Sequence, residues 1–210
     1  MIFYINFLMG LLTSASVIAA GVPLSASISS SIEPFLETSV SSRADIPEVP
    51  FYSQFHDIHA AKWQKLGCGI ASLAMLIEFY RPEIVSVDAL LEEGIAKGAF
   101  INGAGWSHRG LALLAGKYGL KGVNYDLSGL DMSDAFTQFE KFLKEGPVIA
   151  SVYYKFNPKS TIPHLAVING IKEGVVYYND PAGQSANEKI SIADFMRGWK
   201  KRFIVIRPSV

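Results

Sequence analysis

Cysteine is almost absent from this sequence, because Cys68 is the only one among 210 residues. A single cysteine cannot form an internal disulfide, so the class of small exported domains that disulfides hold together is excluded. Such a residue is either an inert, buried small side chain or a thiol that is kept for chemistry. The residues around Cys68 must decide between these two interpretations.

An excess of either charge is also missing. Lys+Arg and Asp+Glu are balanced at 19 each, and the sequence contains no basic run or acidic tail. A neutral chain gives no electrostatic reason to expect nucleic acid or an anionic membrane as the main partner. Hydrophobic residues make up 50% of the chain and charged residues 18%, which excludes a disordered composition and allows a core of normal size.

Charge is wholly absent from residues 2–24, an apolar stretch that is followed by small residues. This pattern predicts that residues 1–25 form a secretory signal peptide or a retained membrane anchor. In both cases the bulk of the protein is expected outside the cytoplasm, secreted or attached to the outer side of the membrane. Residues 26–45 are rich in serine and are interpreted as a linker, and residues 46–210 as the folded domain.

The folded domain is predicted to contain helices first and strands afterwards. The hydrophobic spacing of Ile70, Leu73, Ile77 and Tyr80 indicates one apolar face of a helix that begins near Cys68 and stops before Pro82. Further helices are predicted over about 87–93, 109–118, 133–144 and 192–199, and strands over 147–154, 164–169, 174–179 and 202–206, with a hairpin turn at 170–173. This order predicts an α+β fold with an antiparallel sheet.

The predicted position of Cys68 suits a nucleophile. A thiol attacks as its thiolate, and the partial positive charge and free N–H groups of a helix N-terminus favour that anion. The same N–H groups can form part of an oxyanion hole. Gly67 and Gly69 flank the cysteine, and we expect them to let a substrate carbonyl approach closely.

A cysteine nucleophile needs a base, and His164 is the best candidate among four histidines. It opens a strongly apolar strand after Pro163, where a rigid backbone can hold the imidazole in one orientation. The imidazole in turn needs an acceptor to orient it. Asp180 follows the neighbouring strand of the predicted hairpin, and Asn179, one residue earlier, is the alternative acceptor.

The other histidines are assigned no catalytic role. His56 and His59 lie three residues apart without a clear third ligand, so no metal site is predicted. His108 follows the glycine-rich segment 102–106 and is expected at the start of a helix, where it can line a substrate cleft. The glycine spacing of that segment does not match a phosphate-binding loop.

Several short motifs, in order, resemble the C39-like peptidases. These are Val-Pro-Phe-Tyr-Ser-Gln at 49–54, Gly-Cys-Gly-Ile-Ala-Ser at 67–72, Gly-Pro-Val-Ile-Ala at 146–150, His-Leu-Ala-Val-Ile-Asn-Gly at 164–170 and Tyr-Asn-Asp-Pro at 178–181. The resemblance implies a papain-like fold and a Cys-His-Asp triad of Cys68, His164 and Asp180. It also implies a glutamine that helps to bind the oxyanion, either Gln54 or, with a shorter spacing to Cys68, Gln64.

The sequence therefore predicts an exported cysteine peptidase that hydrolyses a peptide or protein substrate without a metal or organic cofactor. The same machinery suits an amidase or transpeptidase that acts on cell-wall peptides. A third alternative is a catalytically silent peptide-binding module on the same fold. Reactivity of Cys68 separates the enzymes from the binding module, and the choice of substrate separates the two enzymes.

Overall fold

The computed structural model describes residues 45–209 of the chain. The predictions for residues 1–25 and for nearly all of the linker lie outside this range. Within the range, no helix is long and apolar enough to cross a membrane. Elements are numbered in chain order: α1 Ala61–Gln64, α2 Cys68–Tyr80, α3 Val87–Ala96, β1 Phe100–Ile101, β2 Gly105–Trp106, α4 His108–Leu114, β3 Leu120–Asp126, α5 Met132–Lys144, β4 Val148–Tyr153, β5 Pro163–Lys172, β6 Val175–Asn179, β7 Glu188–Ser191, α6 Ile192–Gly198 and β8 Trp199–Pro208.

Six strands form one sheet in the order β3-β8-β4-β5-β6-β7, and every neighbouring pair is antiparallel. The two short strands β1 and β2 form a separate hairpin. The α+β class and the antiparallel sheet expected from the sequence are confirmed.

The sheet separates two hydrophobic cores, because successive side chains of a strand point to opposite faces. Leu165 and Val167 of β5 belong to the front core, which also contains α2, α3 and α4. Ala166 and Ile168 of the same strand belong to the rear core, which contains α5 and α6. The strands β4 and β8 are divided between the cores in the same alternating way.

Most helices begin at a polar side chain that accepts a hydrogen bond from the first turn, which satisfies a backbone donor that would otherwise lack a partner. The N-cap side chains that accept in this way are those of Ser86, Ser107, Asp131 and Ser191. The predicted helix 109–118 is divided into α4 and a short 3-10 turn, Ala115–Tyr118. Gly119 ends it in the left-handed conformation at φ 68°, as the glycine suggests.

The helix α2 is largely buried, as predicted, and its burial extends beyond the one apolar face that the spacing indicated. Residues 69–77 are all buried, so α2 runs through the interior of the front core. A helix surrounded by protein needs no polar face, and its uniformly apolar sequence has little amphipathic signal. Its burial fixes Cys68, its first residue, relative to the sheet.

Two strands of the six-stranded sheet were missed, as was the short β1–β2 hairpin, and one turn was placed wrongly. The missed strands, β3 and β7, are the two edges of the sheet. Their sequences are mixed polar and apolar because one side of an edge strand faces solvent, so they carry little strand signal. The predicted turn at 170–173 is wrong, because β5 runs to Lys172. Glu173 and Gly174, both with positive φ, form the two-residue turn that the twist of a hairpin favours.

Candidate active site

Cys68 is the first residue of α2 and lies at the mouth of a cleft. The backbone N–H groups of a first helical turn have no partner within the helix, so the thiol is placed beside free donors. Gly67 and Gly69 are needed for packing, and the close approach of a substrate carbonyl stays a prediction. A Cβ on Gly67 would overlap Ile58, and one on Gly69 would lie 2.7 Å from the Trp106 ring. Both glycines are needed because the front core closes tightly around the start of α2.

His164 lies near the start of β5 and is 4% exposed. Its Nε2–H donates to Oδ1 of Asp180 at 2.6 Å, and the Asp180 side chain is also nearly buried. The same carboxylate oxygen accepts the backbone N–H of Ala182 at 2.8 Å, which holds the aspartate in place. Because Nε2 is occupied by Asp180, the other ring nitrogen, Nδ1, is left for the thiol.

The environment of His164 favours its charged form. Burial by itself would lower the pKa of His164, but its hydrogen bonds to Asp180 and Cys68, and the attraction of both groups, raise the pKa to about 9. A protonated imidazole in this position stabilises a thiolate beside it. The carboxylate, the imidazole and the thiol thus form one electrostatically coupled unit.

Tyr154 supports the imidazole from the side. Its ring lies edge-on to His164, with 5.3 Å between the ring centroids. The next two residues, Lys155 and Phe156, both have positive φ values, of 54° and 52°, although neither is a glycine. This conformation costs about 1–3 kcal/mol per residue, so the surrounding structure must hold it in place. The contact of Tyr154 had no signal in the sequence because it depends on this backbone turn.

Asn179, the alternative acceptor, has a different position. Its amide donates to the backbone carbonyls of Val49 and Pro50, at 3.0 and 3.3 Å, and its Oδ1 accepts from Asn169 and from the backbone of Asn187. These bonds tie the extended segment before α1 to the sheet. Asp180, and not Asn179, therefore contacts His164.

Gln54 is buried next to the loop that leads to Cys68. Its backbone N–H donates to the carbonyl of Pro181 at 2.8 Å, and its Cβ lies 3.5 Å from the Cβ position of Gly67. The side-chain Nε2 donates to the carbonyl of Gln64 at 2.7 Å, whereas the Gln64 amide donates to Ile58 at 3.0 Å. Gln54 thus bridges the Asp180 loop and the Cys68 loop, and Gln64 is held toward Ile58.

The cleft around Cys68 and His164 has a volume of about 540 Å³. One wall is the β1–β2 hairpin with residues 103–106, and Leu66 and Ile162 form an apolar rim that is partly exposed. His108 lines the cleft, as expected. Burial, and then the neighbouring Arg202, lowers the pKa of His108 from its usual value.

Three further lining residues were not anticipated: Lys65, Lys200 and Arg202. The run Lys200-Lys201-Arg202 is shorter than the blocks of like charge that mark a functional patch in a sequence. Only the pairing of β8 with β4 brings two of its residues to the cleft. In the described range 45–209, no group of three His, Cys, Asp or Glu side chains could hold a metal, and His59 instead pairs with Asp88 at 2.6 Å.

Comparison with other proteins places this architecture in a family. Residues 46–207 match the peptidase C39-like family. The chain is 26% identical over 158 residues, 75% of its length, to the pediocin PA-1 transport/processing ATP-binding protein PedD of Pediococcus acidilactici. The matched region is 19% of that relative.

Two solved structures share the fold. One is a C39-like peptidase from Bacillus anthracis, with 20% identity, a TM-score of 0.56 and coverage of 79% of this chain and 96% of that one. The other is a double glycine motif protease from an AMS/PCAT transporter in complex with the leader peptide, with 24% identity, a TM-score of 0.54 and the same coverage. With the family match spanning nearly the whole folded part, the protein belongs to the peptidase C39-like family.

Proposed function

We propose that this protein hydrolyses peptide bonds with Cys68 as nucleophile, His164 as general base and acid, and Asp180 as the group that orients the imidazole. The observation that carries the proposal is the buried 2.6 Å hydrogen bond from His164 to Asp180, on an imidazole whose other partner is the Cys68 thiol. A histidine held between a carboxylate and a helix-end thiol is the arrangement that activates a cysteine.

The reaction then follows in two steps. His164 takes the thiol proton, and the thiolate forms a C–S bond to the peptide carbonyl carbon. His164 returns the proton to the leaving amine as the C–N bond breaks. In the second step, water gives a proton to His164 and attacks the thioester. The C–S bond breaks, the acid product leaves, and the proton returns to sulfur.

The negative oxygen of each tetrahedral intermediate needs hydrogen-bond donors. The backbone N–H of Cys68, at the start of α2, supplies one donor. For the second donor we propose the Gln54 side chain, because Gln54 contacts the loop before Cys68. Its Nε2 donates one hydrogen to the Gln64 carbonyl and has a second hydrogen for the oxyanion, whereas the Gln64 amide is directed toward Ile58.

The rate of Cys68 alkylation by iodoacetamide, measured against pH, tests the triad. An ordinary thiol reacts through a pKa of about 8.5, and we expect the native chain to react well below that pH. His164→Ala is expected to lose this reactivity at low pH. The matched control is His59→Ala, which removes an exposed histidine outside the cleft. Ordinary thiol behaviour in the native chain would show that no activated pair exists.

Substrate turnover is the second arm of this test. The double glycine motif in the name of one structural neighbour makes a quenched fluorescent peptide with a central Gly-Gly pair the first probe. We expect cleavage by the native chain and none by Cys68→Ala. Equal binding of the peptide by both chains, without turnover, would instead identify a silent peptide-binding module. Cleavage of muropeptides alone would identify a cell-wall amidase.

We also propose that the protein acts outside the cytoplasm. The proposal is supported by the uncharged apolar stretch at residues 2–24. Expression of the full chain in a bacterial host, followed by fractionation, tests it. We expect the protein in the periplasmic, medium or membrane fraction with its folded domain open to added protease. Retention in the cytosolic fraction contradicts the proposal.

A further inference from the structure

The cleft is strongly asymmetric in charge although the chain as a whole is neutral. Lys65, Lys200 and Arg202 line the cleft that contains Cys68 and His164. A neighbouring depression of about 500 Å³ shares Lys200 and Arg202 with the cleft and adds Arg197 and Lys201. No Asp or Glu is among the residues that line either cavity in the described part of the chain.

Nearby carboxylates compensate only part of this charge. Asp126 pairs with Arg202 at 2.8 Å, and Asp194 pairs with Arg197. The other three cations have no ion-pair partner among the salt bridges of residues 45–209. Lys201 donates to backbone carbonyls of the loop before α5, and the ammonium of Lys200 lies 4.6 Å from the Tyr153 ring centroid. Cations without counter-ions in a concave, partly dry surface produce a local positive potential.

A bulge in β8 creates this arrangement. Arg202 pairs with Ser151 and Trp199 pairs with Val152, so Lys200 and Lys201 are extra residues in the ladder. Val152 also pairs with His164 on its other side, which puts the bulge level with the catalytic base and two strands away. Bulges next to active sites serve to redirect a side chain. Here the bulge brings Lys200 beside Arg202, at the cleft.

The conformation of the bulge has a cost that packing must offset. Lys201 has a φ of 57°, in the left-handed region that is unfavourable for a residue with a Cβ. Burial, and then the neighbouring Arg202, lowers the pKa of Lys200. A ligand carboxylate beside Lys200 would offset this lowering of the pKa, because a nearby negative charge favours the charged ammonium.

We infer that the cleft recognises a peptide that carries carboxylates close to the scissile bond, and that Lys200 and Lys65 are the residues that select for them. This inference rests on the proposed function for the identity of the scissile bond. The carboxylates are those of Asp or Glu side chains or of a free C-terminus. A peptide fits better than a nucleic acid because the cations begin at the nucleophile and share the cleft with the apolar rim of Leu66 and Ile162.

Binding to the full chain carrying Cys68→Ala tests the inference without catalysis. The probes are fluorescein-labelled peptides with a central Gly-Gly pair and an amidated C-terminus. In one peptide Glu precedes the pair and in another Glu follows it, and in the matched control peptides Gln replaces Glu. We expect about tenfold tighter binding of one Glu peptide, and a preference that weakens as salt rises. A Gln peptide with a free C-terminus separates a terminal carboxylate from a side-chain carboxylate.

Charge-reversal variants in the same background show where the preference arises. Lys200→Glu and, independently, the exposed Lys65→Glu are expected to reduce the Glu preference to less than about threefold. The matched control, Lys141→Glu, reverses a charge on α5 behind the sheet and should leave the preference unchanged. The second variant is needed because Lys200→Glu can disturb the bulge, whereas Lys65 is exposed and lies outside it.

The outcomes separate this inference from the proposed function. Three results overturn the inference. They are equal binding of the Glu and Gln peptides, no binding of either peptide, and tighter binding of a labelled single-stranded oligonucleotide. If the native chain cleaves Glu and Gln peptides at the same rate, the peptidase proposal stands and the charge selection fails. If Cys68→Ala selects the Glu peptide but the native chain cleaves nothing, the selection stands and the peptidase proposal fails.

Discussion

The two cores on either side of the sheet are built differently. The front core is mainly aliphatic, with Ile70, Leu73 and Leu76 of α2 at its centre. The rear core is much richer in aromatic residues, and Phe139 of α5 contacts the rings of Phe136, Phe195, Trp199 and Phe203. The front core opens at the cleft and carries the nucleophile, whereas the rear core carries none of the proposed catalytic groups. We therefore expect the rear core to contribute mainly to the stability of the fold, and the front core also to hold Cys68 in position.

The largest expected effect comes from Phe139→Ala. Removal of a fully buried phenylalanine from the rear core should lower the free energy of unfolding by about 3–5 kcal/mol. The pH profile of Cys68 alkylation in the folded fraction should stay the same. Urea denaturation and alkylation under native conditions measure the two quantities.

The matched change in the front core is Ile70→Ala, in the first turn of the helix that starts at Cys68. It is also expected to destabilise the fold, by about 2–5 kcal/mol, but it should shift the alkylation profile as well. If both variants shift the profile equally, the division of roles between the cores is wrong.

A smaller effect on the free energy of unfolding is expected from pH, through the titration of His164 in the sheet between the two cores. The pKa of His164 rises from 6.5 to about 9 on folding, so between these values the folded state binds a proton that the unfolded state has released. Stability from this group is therefore complete below about pH 6.5 and is lost as pH rises through about 9. The slope from His164 alone reaches about 1.4 kcal/mol per pH unit, but between about pH 6.5 and 8.5 the thiolate proposed for Cys68 offsets it, because the folded state then lacks the thiol proton that the unfolded state keeps.

Urea denaturation at several pH values between 6 and 10 measures this slope, and His164→Ala is the reference. If Cys68 is a thiolate in the folded state, the difference between the two chains should be flat between about pH 6.5 and 8.5 and should fall above about pH 8.5, where the unfolded thiol also loses its proton. A difference that falls steadily from about pH 6.5 would show that Cys68 keeps its proton, and a difference that rises contradicts the pairing of His164 with Asp180.

The last prediction concerns kcat and the two glutamines. Gln54→Ala is expected to lower kcat on the Gly-Gly peptide by about 10²-fold, or about 2.7 kcal/mol in the barrier, because an oxyanion donor is lost. Gln64→Ala should lower kcat by less than about tenfold, since its side chain is held toward Ile58 while its backbone carbonyl still binds Gln54. The reverse ranking transfers the oxyanion role to Gln64.

Much of the fold could be predicted because its interior elements have strong local signals. The strands β4 and β5 are rich in β-branched and aliphatic residues, and the starts of α3 and α5 are marked by Ser86 and Asp131. The edge strands β3 and β7 were missed because they become strands only through their partners. The start of β8 was missed for a related reason, since its bulge depends on the pairing with β4.

The candidate site was also predicted only in part, and for the same reason. The sequence by itself determined that the only thiol, Cys68, begins a helix, that His164 opens a strand and that Asp180 follows the next one, because helix starts, apolar runs and turns are local properties of a chain. Tertiary structure alone decided that Asp180 rather than Asn179 contacts His164, and that Gly67 and Gly69 make room for core side chains. It also decided that Lys65, Lys200 and Arg202 line one cleft. Such contacts join residues far apart in the chain, and only the packing of α2 against the sheet and the register of β8 bring them together.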